Sequence, residues 1–295
     1  MANHRSSQQS ISGLLLILGL AFCHATHAAP ADAQADAGLV FDDNVTRAND
    51  GGTRLVDRSC IVSLNRPVMF PLADHLRALL TGLLDTEFFD RYQGLNRLTG
   101  AVQGELQYRG SAEFGAPMLA IFTRIAAERY RSDMRDGFRY SVGASLQQAA
   151  TDRIRLTGAV THNERRGRSE LFNNRDNAAR IGLDYTLSAA DTLYLDGEYR
   201  RGDLVISGPE FWTDYSSNTY TLDDAFPGME IYSFRFDGAT LLSTLGYNLK
   251  TGTRNSVDFS WKRARSTASY ATSLSGKASL GYVTNQYSLA YLIRF

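Results

Sequence analysis

The sequence predicts an all-β chain, an antiparallel transmembrane β-barrel of about twelve strands, preceded by a cleaved signal peptide. Three observations carry this expectation. Apolar and polar residues alternate along nearly the whole chain beyond its N-terminal region. The N-terminus has the layout of an export signal. The final strand alternates up to a terminal aromatic, Phe295.

The N-terminus sets the compartment. Arg5 gives a short basic start, Ile11 to Phe22 is almost unbroken apolar sequence, and Thr26 and Ala28 occupy the −3 and −1 positions of a cut before Ala29. This is the three-part pattern of a secretory signal. Its apolar core, about 12 residues, is too short for the roughly 20 that a membrane-spanning helix needs. Lipidation would require a small residue before Cys23, and Phe22 stands there. The expected division is a signal peptide at 1–28, a short periplasmic segment at 29–37 and a barrel over 38–295.

Composition then excludes several functions. The whole chain carries 31 Lys plus Arg and 31 Asp plus Glu, and loss of Arg5 with the signal leaves 30 basic against 31 acidic residues. Near-neutrality argues against a nucleic-acid partner, which favours a strongly basic surface. Cleavage removes Cys23 and leaves only Cys60, so neither an intrachain disulfide nor a cysteine metal cluster is expected. With only His75 and His162 remaining among the histidines, no metal or other cofactor is expected. No apolar run near 18 residues follows the signal. A barrel strand needs apolar residues only at alternate positions, so it can span a membrane without one.

The alternation is clearest in the middle of the chain. Ile154, Leu156, Gly158 and Val160 share one face, against Arg153, Arg155, Thr157 and Thr161. Ile181, Leu183, Tyr185 and Leu187 alternate with Arg180, Asp184 and Thr186. Leu193, Leu195, Gly197 and Tyr199 alternate with Thr192, Asp196, Glu198 and Arg200. A period of two defines a strand with one apolar and one polar face. Twelve segments are read this way, near 38–48, 56–69, 75–90, 97–110, 117–132, 137–149, 153–166, 176–188, 191–204, 231–249, 254–270 and 277–295. Many exceed the 5–6 residues usual in globular strands and suit the 9–11 tilted residues that cross a bilayer. Links at Pro71–Asp74, Ala150–Asp152, Ser188–Asp191 and Lys250–Arg254 are tight, whereas Val205 to Glu230 is long. Short turns at one end and long loops at the other fit a barrel with its long side extracellular and both termini periplasmic.

Aromatics are expected as two girdles. Phe88, Phe138, Tyr140, Tyr199, Tyr232 and Phe234 fall near the outer strand ends. Tyr108, Tyr185, Tyr247, Tyr291 and Phe295 fall near the inner ends. Segment 231–249 changes phase: its apolar face is even-numbered at Tyr232, Phe234 and Phe236 but odd-numbered at Leu245, Tyr247 and Leu249. A one-residue slip flips the faces, which predicts a bulge near Gly238–Thr244. Segment 56–69 is poorly patterned and contains Pro67, which cannot donate to a ladder.

Two resemblances accompany this reading. The last strand carries Tyr287, Leu289, Tyr291, Ile293 and Phe295 on one face. It resembles the C-terminal strand of bacterial outer-membrane barrels, which typically ends in Phe. That resemblance implies recognition of Tyr291, Ile293 and Phe295 by the barrel-insertion machinery. The stretch Leu39-Val-Phe-Asp-Asp-Asn-Val-Thr-Arg-Ala48 resembles the first barrel strand of several proteobacterial outer-membrane families, among them surface lipoprotein assembly modifiers. Those modifiers usually carry a helical-repeat domain before the barrel. Only about ten residues separate the expected cleavage site from strand one, so that domain is not expected here.

If the apolar face meets lipid, the polar face lines the lumen. The alternation points Arg77, Arg109, Arg124, Arg139, Arg153, Arg155, Arg180, Arg200, Arg235 and Lys262 inward. Of the acids it turns Asp85, Glu87, Glu105, Glu128, Asp184, Asp196, Glu198, Asp237 and Asp258 the same way. After cleavage the only lysines are Lys250, Lys262 and Lys277. Arginine offers a rigid fork for carboxylates and phosphates. Its abundance fits an anion path or contact with lipopolysaccharide phosphate, and equally a genome rich in arginine codons. The loop 205–230 carries Glu210, Asp214, Asp223, Asp224 and Glu230 with Phe211, Trp212, Tyr215, Tyr220 and Phe226, and no Lys or Arg. It is expected to gate the outer mouth and favour cations there, pinned by the basic loop near 166–175 with Arg165, Arg166, Arg168 and Arg175.

No enzyme motif emerges. His162 lies near a strand end with Ser169 downstream, but nothing places a base beside a nucleophile. Two functions fit: a porin-like channel for small hydrophilic solutes, or a closed barrel that binds partners through its extracellular loops. Outer-membrane lipids and lipopolysaccharide are the expected surroundings in either case. The signal reading has a direct test. Mature protein isolated from outer membranes should begin at Ala29 by N-terminal sequencing, and folded protein recovered from soluble periplasm would overturn the assignment.

Overall fold

A computed structural model describes residues 29–30, 32–49, 53–111, 113–208, 219–268 and 280–295. The expected signal at 1–28 lies outside the described residues. Twelve strands close into one antiparallel barrel. They are β1 (Gln34–Asp42), β2 (Asp57–Ala73), β3 (Leu76–Phe89), β4 (Arg97–Arg109), β5 (Met118–Tyr130), β6 (Gly137–Ala149), β7 (Ile154–Gly167), β8 (Asn174–Thr186), β9 (Asp191–Gly208), β10 (Tyr232–Lys250), β11 (Asn255–Ala268) and β12 (Gly281–Arg294). Each strand pairs with its sequence neighbours, and β12 returns to pair with β1 from Gln286↔Asp42 to Arg294↔Gln34. The expected architecture is therefore the observed one.

The outer surface explains why such a sequence does not fold as a soluble sandwich. Leu39, Ile121, Val142, Val160, Ile181, Leu195 and Phe259 all point outward and are exposed. A belt of this size in water would drive association, whereas in a bilayer it is the solvent-matched face. Phe88, Phe138, Tyr140 and Tyr199 are exposed towards one rim, and Tyr108, Tyr247, Tyr291 and Phe295 towards the other. Gly100 and Gly158 on this face meet open space, with no neighbour within 4 Å of an added Cβ.

The connections sort by end. The turns after β2, β6, β8 and β10 are tight, and they share the periplasmic end with both barrel termini. The extracellular end carries the 43–56, 90–96, 131–136, 168–173 and 209–231 connections. Pro67 falls in the gap between Gln34↔Asn65 and Pro30↔Val68, where the chain before β1 offers it no ladder partner.

Three expectations need correction. The first strand ends at Asp42 rather than near 48, because the chain turns inward after it. No bulge interrupts β10: its register with β9 runs unbroken from Asp191↔Leu249 to Gly208↔Tyr232. The change of polarity has another cause. Phe234, expected in the girdle, and Phe236 pack with Leu204, Ile206, Ala268 and Leu280 in a buried cluster, with Tyr232 and Tyr282 against it. The extracellular tip of the β9–β10 hairpin thus covers its even-numbered apolar face with protein instead of lipid. Gly202, opposite Gly238, sits in this tip at φ +150°, where a side chain would also meet the Arg175 carbonyl oxygen.

The terminus is fastened in both directions. Ala33 N–H donates to the Phe295 carbonyl, and Phe295 N–H donates to the Ala33 carbonyl, each at 2.9 Å. Deleting Phe295 removes both bonds, worth about 1 kcal/mol each, together with an exposed rim aromatic. The expected result is a smaller heat-modifiable fraction in a refolding gel. Unchanged yield and rate would show that the terminal residue takes no part in assembly.

Candidate functional site

The candidate site is the lumen with its outer cap. Two adjoining chambers of about 480 and 610 Å³ occupy it. Their walls share Val45, Arg47, Tyr130, Arg135, Lys262 and Gln286, so the chambers meet around the inward 43–48 segment.

That segment is held by the residues that made its sequence conspicuous. Asp42 closes β1 and accepts hydrogen bonds from Asn44 N–H (2.9 Å), Thr284 Oγ1 (2.9 Å) and Gln286 Nε2 (2.7 Å). Arg47 forms a bidentate pair with it, at 3.0 and 2.7 Å, and donates to Thr284 Oγ1 at 3.1 Å. Asn44 is buried and donates through Nδ2 to the Ala48 and Val283 carbonyls. Asp43 accepts from the Asn285 N–H and side chain on β12 and from Arg54. Arg47 adopts φ 57°, a left-handed conformation rare for a branched-out side chain and maintained here by its contacts. Burial works against its charge, but the Asp42 carboxylate outweighs this, and its pKa is raised. Sequence reading singled out this stretch for its resemblance alone and missed its inward turn, although a run of Asp, Asn and Thr after a strand is a turn signal.

The outer cap is a second network. Glu128 is buried and receives Arg139 Nε at 3.1 Å and Arg165 Nε at 2.8 Å. Arg165 also donates to the carbonyls of Phe172 and Arg135. Arg135 lies 4.3 Å over the Phe172 ring and pairs with the fully buried Asp223. Asp223 further accepts from Ser233 Oγ at 2.7 Å, and Ser132 Oγ donates to Asp224. Around it, Val45, Leu95, Ala225, Phe226 and Ile231 form an apolar cluster with Tyr92 edge-on to Phe226. Gly94 permits this approach: a Cβ there would lie 2.4 Å from Ala225 Cα.

Many of the remaining lumen charges are paired with neighbours on the same or an adjacent strand. Arg180 contacts Asp196 at 2.8 Å, and Arg200 pairs with Glu198. Glu87 receives Arg97 at 3.1 Å and Ser59 at 2.8 Å. Arg77 Nε donates to Gln107, which in turn donates to Glu105. Asp258 accepts from the Tyr194 hydroxyl at 2.9 Å, and the Tyr194 ring fills the space over Gly246. Asp85, Arg124, Arg155 and Asp184 lie on the lumen side of their strands, opposite in phase to the lipid-facing residues.

Four expected placements differ. Arg153 sits exposed in the periplasmic turn before β7, not on the lumen wall. Arg235 lines neither chamber; it donates to the Glu170 and Asn173 carbonyls and ties down the 168–173 connection. Asp223 is not a mouth charge, since Arg135 neutralises it inside the cap. Among the described residues the basic 165–175 stretch is engaged elsewhere than with the acidic loop: Arg165 serves Glu128, Arg166 and Arg175 serve Glu164, and Arg168 serves Asp133. Glu210, Phe211, Trp212 and Asp214 lie outside the described residues. His162 hydrogen-bonds Asn177 through Nδ1 at 2.8 Å. Among the described residues no group of His, Cys, Asp and Glu could hold a metal ion.

Fold and lumen together define a bacterial outer-membrane β-barrel. No protein-family model and no curated protein sequence matches the chain. Among solved structures, an outer membrane channel from Pseudomonas putida F1 superposes with a TM-score of 0.58 at 11% identity, covering 91% of this chain and 97% of its own. The NanC porin gives a TM-score of 0.45 at 7% identity, covering 88% and 100%. The KdgM porin in complex with disordered oligogalacturonate gives 0.41 at 10%, covering 89% and 99%.

The cap network yields a prediction. Replacing Arg135 with Met leaves Asp223 buried and unpaired, a change that costs about 3–5 kcal/mol when the site cannot rehydrate. The 219–231 segment can rehydrate by undocking, so the expected outcome is faster protease cleavage in that segment with the barrel intact. Arg166→Ala, which breaks an exposed pair worth little, should leave the cleavage rate unchanged. Equal rates for Arg135→Met and the parent would refute the docking role.

Proposed function

We propose that the protein is a porin-like channel that passes small hydrophilic solutes. The observation that supports this best is the pair of adjoining chambers inside the barrel, with walls of Arg, Lys, Asp, Gln and Thr side chains around water-sized space. A barrel of twelve strands is wider than the side-chain-filled eight-stranded type and narrower than the sixteen-stranded open porins. Here the lumen is partly filled by the inward segment around Arg47 and by Tyr194, which leaves a narrow, polar and strongly charged route. Such a route suits solutes that exchange hydration water for side-chain hydrogen bonds.

The docked extracellular connections favour a second reading, a closed barrel that acts through its surface. The Asp223–Arg135 pair and the apolar cluster beneath it would then form a fixed display platform rather than a removable cap.

Planar-bilayer recording separates the two. The mature protein should show discrete single-channel steps, and Arg135→Met should increase the step size or open probability by freeing the cap. Absence of steps from both proteins, with folding verified by heat-modifiability, would leave the surface reading in its place.

A further inference from the structure

The charges along the lumen are not equally satisfied. In the upper chamber Asp176 accepts from Asn163 at 2.9 Å, and Asp203 accepts from the Arg175 N–H at 2.8 Å. In the lower chamber Glu87 and Asp42 hold the partners already described. Each of these acids has hydrogen-bond donors; Asp36, which also lines the lower chamber, has none among the described residues. Lys262, on β11, lines both chambers and is exposed to them, yet has no hydrogen bond or ion pair among the described residues. The charged groups acting on it are Arg200, Arg47, Glu198 and Arg180, three basic and one acidic. Two of these, Arg200 and Arg47, also face the upper chamber, with Arg139 on the same wall. Glu128 serves both Arg139 and Arg165, and Asp176 and Asp203, whose donors are uncharged, offset the positive charge of that wall away from Lys262.

We propose that Lys262 is the centre of an anion-binding site where the two chambers meet, and that the lumen selects small organic oxyanions, carboxylates above all. As a selectivity site this rests on the channel reading; as a binding site it stands alone. The ammonium supplies a point charge with three donors, and Arg47 and Arg200 supply planar forks beside it. Each fork has a carboxylate of its own, so an incoming oxyanion meets preorganised donors and one unshared charge. Glu198, the partner of Arg200, lines neither chamber, whereas Asp42, the partner of Arg47, borders the lower one, so the upper side of Lys262 is the side open to an anion. The same geometry disfavours cations, whose only unshared neighbour at the junction would be positive.

Magnitude decides what can be measured. One unit charge about 10 Å from a permeating ion in water-like dielectric changes its local concentration roughly twofold, and the anion-to-cation ratio roughly fourfold. Screening over about 10 Å at 0.1 M salt makes the effect largest in dilute solution. The reversal potential across a tenfold KCl gradient should therefore report anion preference for the parent. It should move towards zero by roughly that fourfold ratio in Lys262→Met, and further, to cation preference, in Lys262→Glu. Lys250→Met, at the periplasmic end of β10 where Nζ contacts the Ala189 carbonyl, should leave selectivity unchanged.

A second measurement does not require conduction. Citrate added to the detergent-folded mature protein should raise its unfolding temperature more than NaCl at matched ionic strength, and Lys262→Met should abolish the difference. Equal citrate responses in parent and variant, or a conducting parent whose reversal potential ignores residue 262, would overturn the proposal. If no channel forms but the citrate response depends on Lys262, the anion site stands and the channel reading falls.

Discussion

The constraint on which the molecule depends is that hydrocarbon offers nothing for a peptide group to bond. Every backbone N–H and C=O within the membrane must find its partner in the protein, and an open sheet would leave two unpaired edges. The pairing of β12 with β1 removes both edges at once. The reciprocal bonds between Ala33 and Phe295 carry that pairing to the last residue of the chain. Side chains are then free to differ by face. The outer face is uniformly apolar because lipid is uniform. The inner face varies because it must either fill space, as Tyr194 does, or surround it.

The lumen shows how polar residues are managed inside a low-dielectric wall. An isolated charge there is expensive, and neighbouring residues answer one another: Arg180 with Asp196, Arg200 with Glu198, Arg97 with Glu87. The first and third pairs join adjacent strands, and Arg200–Glu198 lies within β9. Groups at the extracellular end are instead drawn into a buried chain from Glu128 through Arg165 and Arg135 to Asp223. The carboxylate that ends this chain belongs to the long β9–β10 connection, so the position of that connection is coupled to side chains on β5 and β7.

Much of the fold was legible because a barrel writes itself into a period of two. Ile154, Leu156 and Val160 against Arg155 and Thr157 define a strand without reference to any other part of the chain. What the alternation could not show was where lipid gives way to protein. Phe234 and Phe236 have the apolar character of a membrane face, and Phe234 that of a girdle residue, yet both pack in a cluster with Leu204 and Leu280. The inferred bulge followed from that single misplacement. The loops were harder for the same reason. Asp223 and Arg135 are an ion pair in space but far apart in sequence, and no periodicity links them. The Asp42–Arg47 stretch was conspicuous as a motif, but its purpose depends on Val283, Thr284 and Asn285, at the opposite end of the chain.

That last dependence bears on the timing of assembly. Asn44 reaches the Val283 carbonyl, Arg47 reaches Thr284, and Asp43 reaches Asn285. These contacts span nearly the whole chain, so the inward segment cannot settle until the final strand has been delivered beside the first. Contacts of such long sequence separation are made late, because the entropy of closing the intervening loop is paid beforehand. A barrel still gaping between β1 and β12 has this segment loose and its central passage unobstructed. Closure of the wall and narrowing of the interior are therefore one event, and an incompletely zipped barrel would be a leak that only its last strand can stop.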